Sequence, residues 1–408
     1  MADYLGPEYL SHKLNTKRSR VLTRYQYYEM KNLVRDLNIS TPPSLKNLNS
    51  VLGWCGKAVD SIADRLIFRE FRNDYFDLNG IFQMNNPDML FNSAILGALI
   101  SSCDFIYIRP DEEGFPKMEV IDGGNATGVL DATTGLLTEG YAILKRDKYK
   151  QPLIQAYFTP NWISIYERGV KIQEVHHNVM HPLLVPIIYK PDAVRPFGHS
   201  RISRACMSHL QSAARTIKRS EISAEFYSIP QKYVVGLDED AELDKWSAAM
   251  SALLTITKGE EGSDPKVGQF AQQSMSPHID QLRMFAGLFA GETGLTLDDL
   301  GFPSDNPSSQ EAIKASHESL RLTARRAMTS FGSGFLNAGY LAACLRDNYS
   351  YKRGQLYMTK PIFEPIFEPD AATLSSIGDG AIKINQAVPG YFAKENLRDL
   401  TGIDPAGE

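Results

Sequence analysis

The sequence predicts an α+β fold, and two observations support this prediction. The longest helical pattern follows Pro307 and repeats apolar residues every three or four positions as far as Leu345. From the run DFIYIRP onward the period changes to two, and turn signals such as Asp122-Gly123-Gly124 separate short apolar runs. We therefore expect an antiparallel strand region set among helices.

Length and composition describe a chain that can bury a large core. It has 408 residues, of which 43% are hydrophobic, and this length allows two or three domains. Its apolar runs are shorter than the roughly 20 residues that span a bilayer, and its N-terminus lacks the apolar core of a signal peptide. We expect no membrane association and a cytoplasm-like environment. The net charge of −5 argues against a basic surface that binds the phosphates of nucleic acid tightly.

The N-terminal part contains three predicted helices. Residues 13–35 are basic and rich in tyrosine, and form either an arm that binds nucleic acid or a solvated helix that packs its tyrosines. The second interpretation is favoured because a basic helical face needs no partner. After the Pro42-Pro43 break, residues 51–71 predict an amphipathic helix and residues 86–101 predict a third helix.

The strand region follows, and it holds the histidine cluster of the sequence. Strands are predicted at residues 118–121, 141–146, 154–158 and 162–166. The run HNVMHPLLVPIIYKP predicts a loop that enters a buried strand. The spacing of His176, His177 and His181 fits no standard zinc or iron site, and the four cysteines form no CxxC pair. We therefore expect no metal, no cofactor and reduced thiols.

Residues 200–228 predict another helix, which stops before an Ile-Pro pair. The next segment joins a strand, QKYVVG, to a helix at about residues 240–255. Between Asp238 and Asp264 eight acidic residues stand against two lysines. Such a charge run is either a solvated surface or an interaction surface, and the pattern does not choose between them.

A shorter helix at residues 277–291 leads into the acidic loop DDLGFPSDNPSS. Ser308 is placed to N-cap the long helix, and Glu311 to complete its capping box. Three glycines in the second half of this helix predict either a bend or close contacts with neighbouring elements. Beyond it, LYMTKPIFEPIFEPD predicts an edge strand broken by prolines, and residues 371–386 predict a helix before a small helical tail.

The sequence contains no recognised catalytic motif. It has no GxxxxGK[ST] phosphate loop, no GxSxG, no HExxH and no kinase signature. The adjacent carboxylates of Asp298 and Asp299 lie in a loop, where such pairs usually serve turn chemistry. We expect that the chain is not an enzyme.

Three stretches resemble the portal proteins of tailed bacteriophages, the subunits of head-to-tail connector rings. RYQYYEMKNLV followed by NLNSVLGWCGKAVDSIADRLIFREF resembles their N-terminal part, and ILKRDKYKQPLIQAYFTPNWISIYERG resembles their wing strands. FGHSRISRACMSHLQSAARTIKRSEISAEFYSIPQKYVVGLDEDA resembles a stem helix and its exit into the clip. No single motif is diagnostic, but the stretches occur in the family's order over most of the chain.

The resemblance implies a portal fold with an α+β wing, two stem helices, a small α/β clip, a tunnel loop, a long kinked helix and a short helical crown. Its segments are the wing at 1–199, the first stem helix at 200–228, the clip at 229–275, the second stem helix at 276–293, the tunnel loop at 294–308, the long kinked helix with a returning wing strand at 309–370, and the crown at 371–408.

The resemblance also implies candidate site residues. For the tunnel loop and channel constriction they are Asp298, Asp299, Phe302, Asp305, Asn306 and Ser308. For a channel-facing side of the stem they are Arg204, Arg215, Lys218 and Arg219. For docking on the clip they are Asp238, Glu239, Asp240, Glu242 and Asp244.

The family's function implies a set of partners. We expect a ring of about twelve copies at one capsid vertex of the virion, through which double-stranded DNA is packaged and ejected. The expected protein partners are the terminase large subunit, a head-completion adaptor, and the major capsid and scaffolding proteins, with assembly in the host cytoplasm. Two alternatives remain open, a metal-dependent nucleic-acid-processing enzyme that uses the histidine cluster and another virion structural protein.

Overall fold

The computed structural model describes residues 4–35, 47–228, 232–235, 266–269, 274–303, 315–367 and 369–403. The helices are α1 (Gly6–Tyr28), α2 (Trp54–Ala63), α3 (Leu78–Gln83), α4 (Pro87–Ser101), α5 (Arg204–Ser228), α6 (Ser276–Thr293), α7 (Glu318–Arg346), α8 (Ala371–Ala387) and α9 (Lys394–Thr401). Among these residues no helix has both the length and the apolar character that a bilayer crossing requires.

The strands confirm the predicted antiparallel α+β class. They are β1 (Phe68–Arg72), β2 (Cys103–Pro110), β3 (Pro116–Ile121), β4 (Ala126–Leu130), β5 (Leu137–Arg146), β6 (Pro152–Thr159), β7 (Trp162–Glu167), β8 (Val170–His176), β9 (Leu184–Ile188), β10 (Lys232–Val235), β11 (Lys266–Gln269) and β12 (Lys360–Phe363). Strands β4 to β8 form a five-stranded meander in chain order, because turns connect each strand to the next.

A second sheet has the order β3-β2-β9 and lies in the core. Strand β2 is buried from Cys103 to Ile108, and β9 is buried over its first four residues, as the apolar run LLVPII predicted. Helix α4 covers this sheet, and its apolar residues occur on all sides of the helix. A helix that is apolar all round is typical of a buried position.

Helix α1 is anchored to the meander at its N-terminus. Buried Glu139 on β5 accepts hydrogen bonds from the backbone N–H groups of Leu5 (2.9 Å) and Gly6 (3.1 Å). The hydroxyl of Tyr157 donates to the same carboxylate at 2.8 Å. A carboxylate at this end of a helix binds unpaired N–H groups and complements the helix dipole. The tyrosines in the last turn of α1 pack against the core, as the sequence predicted; they are Tyr25, Tyr27 and Tyr28.

Helix α7 runs through the core and confirms the predicted apolar stripe. Phe331 and Phe335 are fully buried, and the ring of Phe335 lies 4.6 Å from that of Phe91. The helix is continuous through its three glycines, which have close neighbours. A Cβ atom on Gly332 would lie 2.7 Å from Cγ of Pro361 in β12. Of the two predicted roles for these glycines, the structure confirms close contact.

The amphipathic helix predicted at residues 51–71 is wrong in its second half. Helix α2 ends at Ala63, and the residues from Phe68 onward form β1, which pairs with β12 almost 300 residues away. The ring of Phe68 lies 4.2 Å from that of Phe91 and 5.3 Å from that of Phe363. This distant partner and aromatic cluster outweigh the local helical pattern. The short helix α3 was also not predicted.

Helices α5 and α6 form an antiparallel pair. The hydroxyl of Thr216 donates to Oε1 of Gln281 at 3.1 Å, and that of Ser203 donates to Oε1 of Glu292 at 2.8 Å. The structure confirms helices at these two positions, with α5 starting at Arg204 rather than at residue 200. Strands β10 and β11, which pair with each other, lie between them in sequence.

The remaining predictions concern the C-terminal part of the chain, two features outside the described residues and the segment boundaries. Strand β12 confirms the edge strand broken by prolines, and α8 and α9 confirm the helix and the helical tail near the C-terminus. The predicted helix at 240–255 and the capping box of Ser308 and Glu311 lie outside the described residues. The segment boundaries of the portal architecture remain predictions.

We predict opposite effects for the same substitution at two helical glycines. Gly332→Ala should lower the free energy of unfolding by about 1–3 kcal/mol, because its methyl group must displace Pro361. Gly287→Ala in α6 should raise it by about 0.5–1 kcal/mol, because that position has open space and alanine favours the helix. Urea unfolding at one protein concentration measures both, and equal effects would contradict the packing role of Gly332.

Candidate functional site

Helices α5 and α6, the predicted stem, carry the cations that were predicted to face a channel, and the four side chains differ in exposure. Arg204 is exposed, whereas Arg215 and Arg219 are half-buried. Arg215 donates to the hydroxyl of Ser212 at 2.9 Å. Lys218 is only 5% exposed, so its burial within the subunit argues against a channel-facing role. Arg204 is the most accessible of the four predicted cations.

The predicted tunnel loop begins with a compact turn that reciprocal hydrogen bonds hold together. The carboxylate of Asp299 accepts from both the backbone N–H and the hydroxyl of Thr296 at 2.9 Å. The N–H of Asp299 donates to the Thr296 hydroxyl at 3.2 Å. This is the arrangement of a capping box. The spacing Thr-x-x-Asp in TLDD was the signal for it, which the sequence analysis did not use.

His317, just before α7, approaches the same carboxylate. Its Nε2 lies 3.4 Å from Oδ2 of Asp299. Partial burial acts to raise the pKa of Asp299, but the hydrogen bonds from Thr296 and the nearby His317 outweigh it. They hold the pKa below its ordinary value. The Asp299 charge is therefore engaged within the subunit, whereas Asp298 beside it is exposed.

Apolar residues fix the turn to the core. Leu300 is 7% exposed, and half-buried Phe302 packs against the main hydrophobic cluster. The N–H of Phe302 donates to the carbonyl of Leu297 at 3.0 Å. Phe302 thus anchors the start of the loop. The remaining predicted loop residues lie outside the described residues; these are Asp305, Asn306 and Ser308.

Arg201 connects the start of α5 to α2 and to the end of α6, and sequence reasoning missed it. Its guanidinium donates to the carbonyl of Ala58 in α2 at 3.1 Å and to that of Thr293 at the end of α6. Thr293 is in the last turn of α6, where carbonyls lack partners within the helix, and an arginine can satisfy such a carbonyl. Its position in the run HSRIS, just before the predicted stem helix, was the available signal.

The basic face of α1 points largely into the fold. The ammonium of Lys13 donates to the carbonyl of Gly128 at 2.8 Å, and that of Lys17 lies 5.2 Å from the ring centre of Phe105. Burial lowers the pKa of both lysines. Arg24 donates to a backbone carbonyl of α4 at 3.1 Å. The expectation of a solvated basic face is therefore wrong for these three side chains.

The histidine cluster does not assemble in the structure. His176 packs its ring on Trp162, and His181 faces the ring of Tyr340. His177 is buried, and burial lowers its pKa to about 4. In the described part of the chain no group of three or more His, Cys, Asp or Glu side chains could hold a metal ion. The metal-dependent enzyme interpretation gains no support from these residues.

The predicted clip docking residues lie outside the described residues. They are Asp238, Glu239, Asp240, Glu242 and Asp244. The described part of this segment consists of β10 and β11, and β10 confirms the strand predicted at QKYVVG.

Comparison with known proteins gives one family of relatives by sequence. Over 405 residues the chain is 23% identical to the portal protein of Mycobacterium phage D29, covering 93% of this chain and 82% of that protein. Over 397 residues it is 22% identical to the portal protein of Mycobacterium phage L5, covering 91% of this chain and 80% of that protein. Both relatives are phage portal proteins, so the sequence similarity supports a portal protein. No protein-family model matches it.

Solved structures are also similar to this chain. One is from the neck of a native GTA particle computed with C12 symmetry. It has a TM-score of 0.49 and 15% identity, and the similarity covers 94% of this chain and 99% of that chain.

We predict that Asp299 stabilises the folded chain in a pH-dependent way. The pKa of Asp299 is lower in the folded state than its ordinary value. Its contribution to the free energy of unfolding is therefore present above the ordinary aspartate pKa and is lost as the pH falls through the folded pKa. Asp299→Asn should lower the free energy of unfolding by about 1 kcal/mol at pH 7, and by less at pH 3.

Asp298→Asn is the matched control, because it removes the same charge one residue away and leaves the Thr296 capping box intact. Urea unfolding at both pH values measures the two variants. An equal loss in both, or a loss that does not depend on pH, would contradict the role of Asp299.

Proposed function

We propose that about twelve copies of the chain form a ring at one capsid vertex, through which double-stranded DNA enters and leaves the virion. The observation that carries this proposal is the match to curated portal proteins over more than nine-tenths of the chain. Two long paired helices, α5 and α6, precede a hydrogen-bonded turn and the long core helix α7. This order is consistent with a stem, a tunnel loop and a helix that crosses the wing. Portal relatives also support a non-catalytic role.

The charges around the proposed channel support passage of DNA without tight binding. Residues 291–305 contain no lysine or arginine. Among the described residues of this run, Glu292 and Asp298 are exposed. Rotational symmetry would repeat each carboxylate around the bore, and the resulting negative field would disfavour firm phosphate contacts. Each firm contact would act as a barrier to sliding.

Arg204 supplies the opposite charge at the same end of the stem. It is exposed at the start of α5, and Ser203 beside it donates to Glu292 at the end of α6. Cations and carboxylates therefore alternate over a short distance in this part of the surface. Weak phosphate contacts at Arg204, balanced by repulsion from Glu292, suit a conduit better than a basic patch does.

The remaining contacts of the ring follow from its proposed place in the particle. The acidic clip would dock the terminase large subunit during packaging and a head-completion adaptor afterwards. The wing would contact the major capsid and scaffolding proteins, with assembly in the host cytoplasm. ATP hydrolysis would belong to the terminase.

We predict that the purified chain forms a closed ring, alone or with scaffolding and capsid proteins. Native mass spectrometry should give about twelve subunits, and negative-stain images should show a central hole of roughly 20 Å or more, the width of a DNA duplex. A chain that stays monomeric with those partners present would contradict the proposal.

We predict that the acidic clip docks partners without contributing to ring closure. Reversal of Asp238, Glu239 and Asp240 to lysine should weaken binding of terminase or adaptor about tenfold or more, because complementary charges become like charges. The subunit number should stay unchanged. Surface plasmon resonance on assembled rings measures the binding.

Reversal of Glu112 and Glu113, in the exposed turn between β2 and β3, is the control for net charge. Equal binding by the clip variant and the unmodified ring would contradict a docking role for these residues.

A further inference from the structure

A pocket of about 630 Å³ lies between α1, α4 and the β2-β3 pair, away from the stem and the tunnel loop. Its walls are mostly apolar, with Leu90 and Ile100 from α4 and Val120 from β3. Tyr25 and Tyr28 of α1 also line it. The proposed portal function uses none of these residues.

A buried carboxylate lies at the base of this pocket. Asp104 in β2 is 2% exposed, and its Oδ1 accepts hydrogen bonds from the Ser101 hydroxyl (2.7 Å) and the N–H of Gly123 (2.9 Å). Its Oδ2 accepts no hydrogen bond from the described residues, and Asp104 forms no ion pair with them. One oxygen is therefore fixed, and the other is available to a ligand.

The surrounding backbone is shaped to admit this carboxylate. A Cβ atom on Gly97 of α4 would lie 1.8 Å from Oδ2 of Asp104. A Cβ atom on Gly123 would lie 2.2 Å from the carbonyl oxygen of Cys103. Glycine at both positions lets the helix and the turn close around the acid. A second carboxylate, that of Asp122, lines the same pocket.

The placement of Asp104 opposes folding at neutral pH. Burial raises its pKa to about 7, and the hydrogen bond from Ser101 and the charge of Lys17 offset this only in part. Since the folded pKa lies above the ordinary value, the stability contribution of Asp104 falls as the pH rises from about 4 to 7. A carboxylate in an apolar pocket is stabilised by a cation that enters the pocket with it.

We propose that this pocket binds an ammonium group carried on a short apolar stem, with Asp104 as its anion. The ammonium would donate a hydrogen bond to Oδ2 of Asp104, and the stem would lie against the apolar walls. Two sources present this chemistry, a free alkylamine and a lysine side chain of another protein chain. The inference does not depend on the proposed DNA conduit.

The test uses n-butylamine, which has the end group and stem of a lysine side chain, and neutral n-butanol as its matched control. Saturation-transfer difference NMR on the full chain at pH 8 should show binding of butylamine and much weaker binding of butanol. Asp104→Asn should weaken butylamine binding about tenfold or more, because a charge-assisted hydrogen bond is lost. Glu112→Gln, an exposed carboxylate in the β2-β3 turn, should leave it unchanged.

A second variant blocks the pocket without touching its base. Ser93 is exposed at the pocket lining, so Ser93→Trp should fill the entrance and abolish butylamine binding in a folded protein. Equal binding of butylamine and butanol would overturn the proposal, as would unchanged butylamine binding in both Asp104→Asn and Ser93→Trp.

The pH dependence gives an independent readout of the same contact. Butylamine affinity should rise with pH up to about 7 and then level off, because Asp104 must lose its proton while the amine keeps its own. The other titratable groups around Asp104 are Lys17 and Tyr25 on α1, Cys103 on β2 and Asp122 after β3. A flat profile from pH 5 to 8 would overturn the role of Asp104.

Native mass spectrometry of Asp104→Asn then separates the two sources. A lower subunit number than in the unmodified protein would identify a lysine of a second copy as the occupant. An unchanged subunit number together with lost butylamine binding would identify a free amine or a lysine of another protein. Failure of the chain to form rings at all would count against the proposed function and would leave the butylamine result standing.

Discussion

Helix α7 passes so close to its neighbours that an added Cβ atom would be in tight contact at three glycine positions along it. Gly332 faces Pro361 in β12, Gly334 faces Ile187 in β9, and Gly339 faces α3. Interiors packed this tightly do not tolerate an added methyl group without movement. The small β1-β12 sheet, the buried central sheet and α3 are therefore fixed relative to one helix. Other elements that pack on these sheets or on α3 are in turn positioned by α7.

Polar contacts connect the elements around α7 to the predicted stem and to the C-terminal helices. Arg201 ties the start of the stem to α2 and to the end of α6, and Asp299 ties the following turn to His317 before α7. Arg72 of β1 donates a hydrogen bond to Asp399, and Arg398 lies 3.2 Å from Glu70. These two contacts attach α9 to the β1-β12 sheet. These paired polar groups favour one arrangement, because the alternatives leave them unpaired.

The distribution of charge fits a conduit better than a nucleic-acid clamp. The chain is acidic overall, and several of its cations are engaged inside the subunit, among them Lys13, Lys17 and Arg24. A basic stretch in a sequence therefore does not by itself indicate a phosphate-binding surface. The carboxylates of Glu292 and Asp298, by contrast, are exposed where the proposed channel narrows.

The sequence by itself determined the elements whose signals are local. The alternating runs gave the meander, the apolar stripe gave α7, and the ordered series of segments indicated the portal family. Only the tertiary structure decided β1, the inward direction of the α1 lysines, the burial of Lys218 and the pocket around Asp104. In each of these, a partner distant in sequence outweighs a local preference of about 1 kcal/mol or less per residue. The periodicity of a sequence shows which face of a helix or strand is apolar. Contacts between elements decide which other element packs against that face.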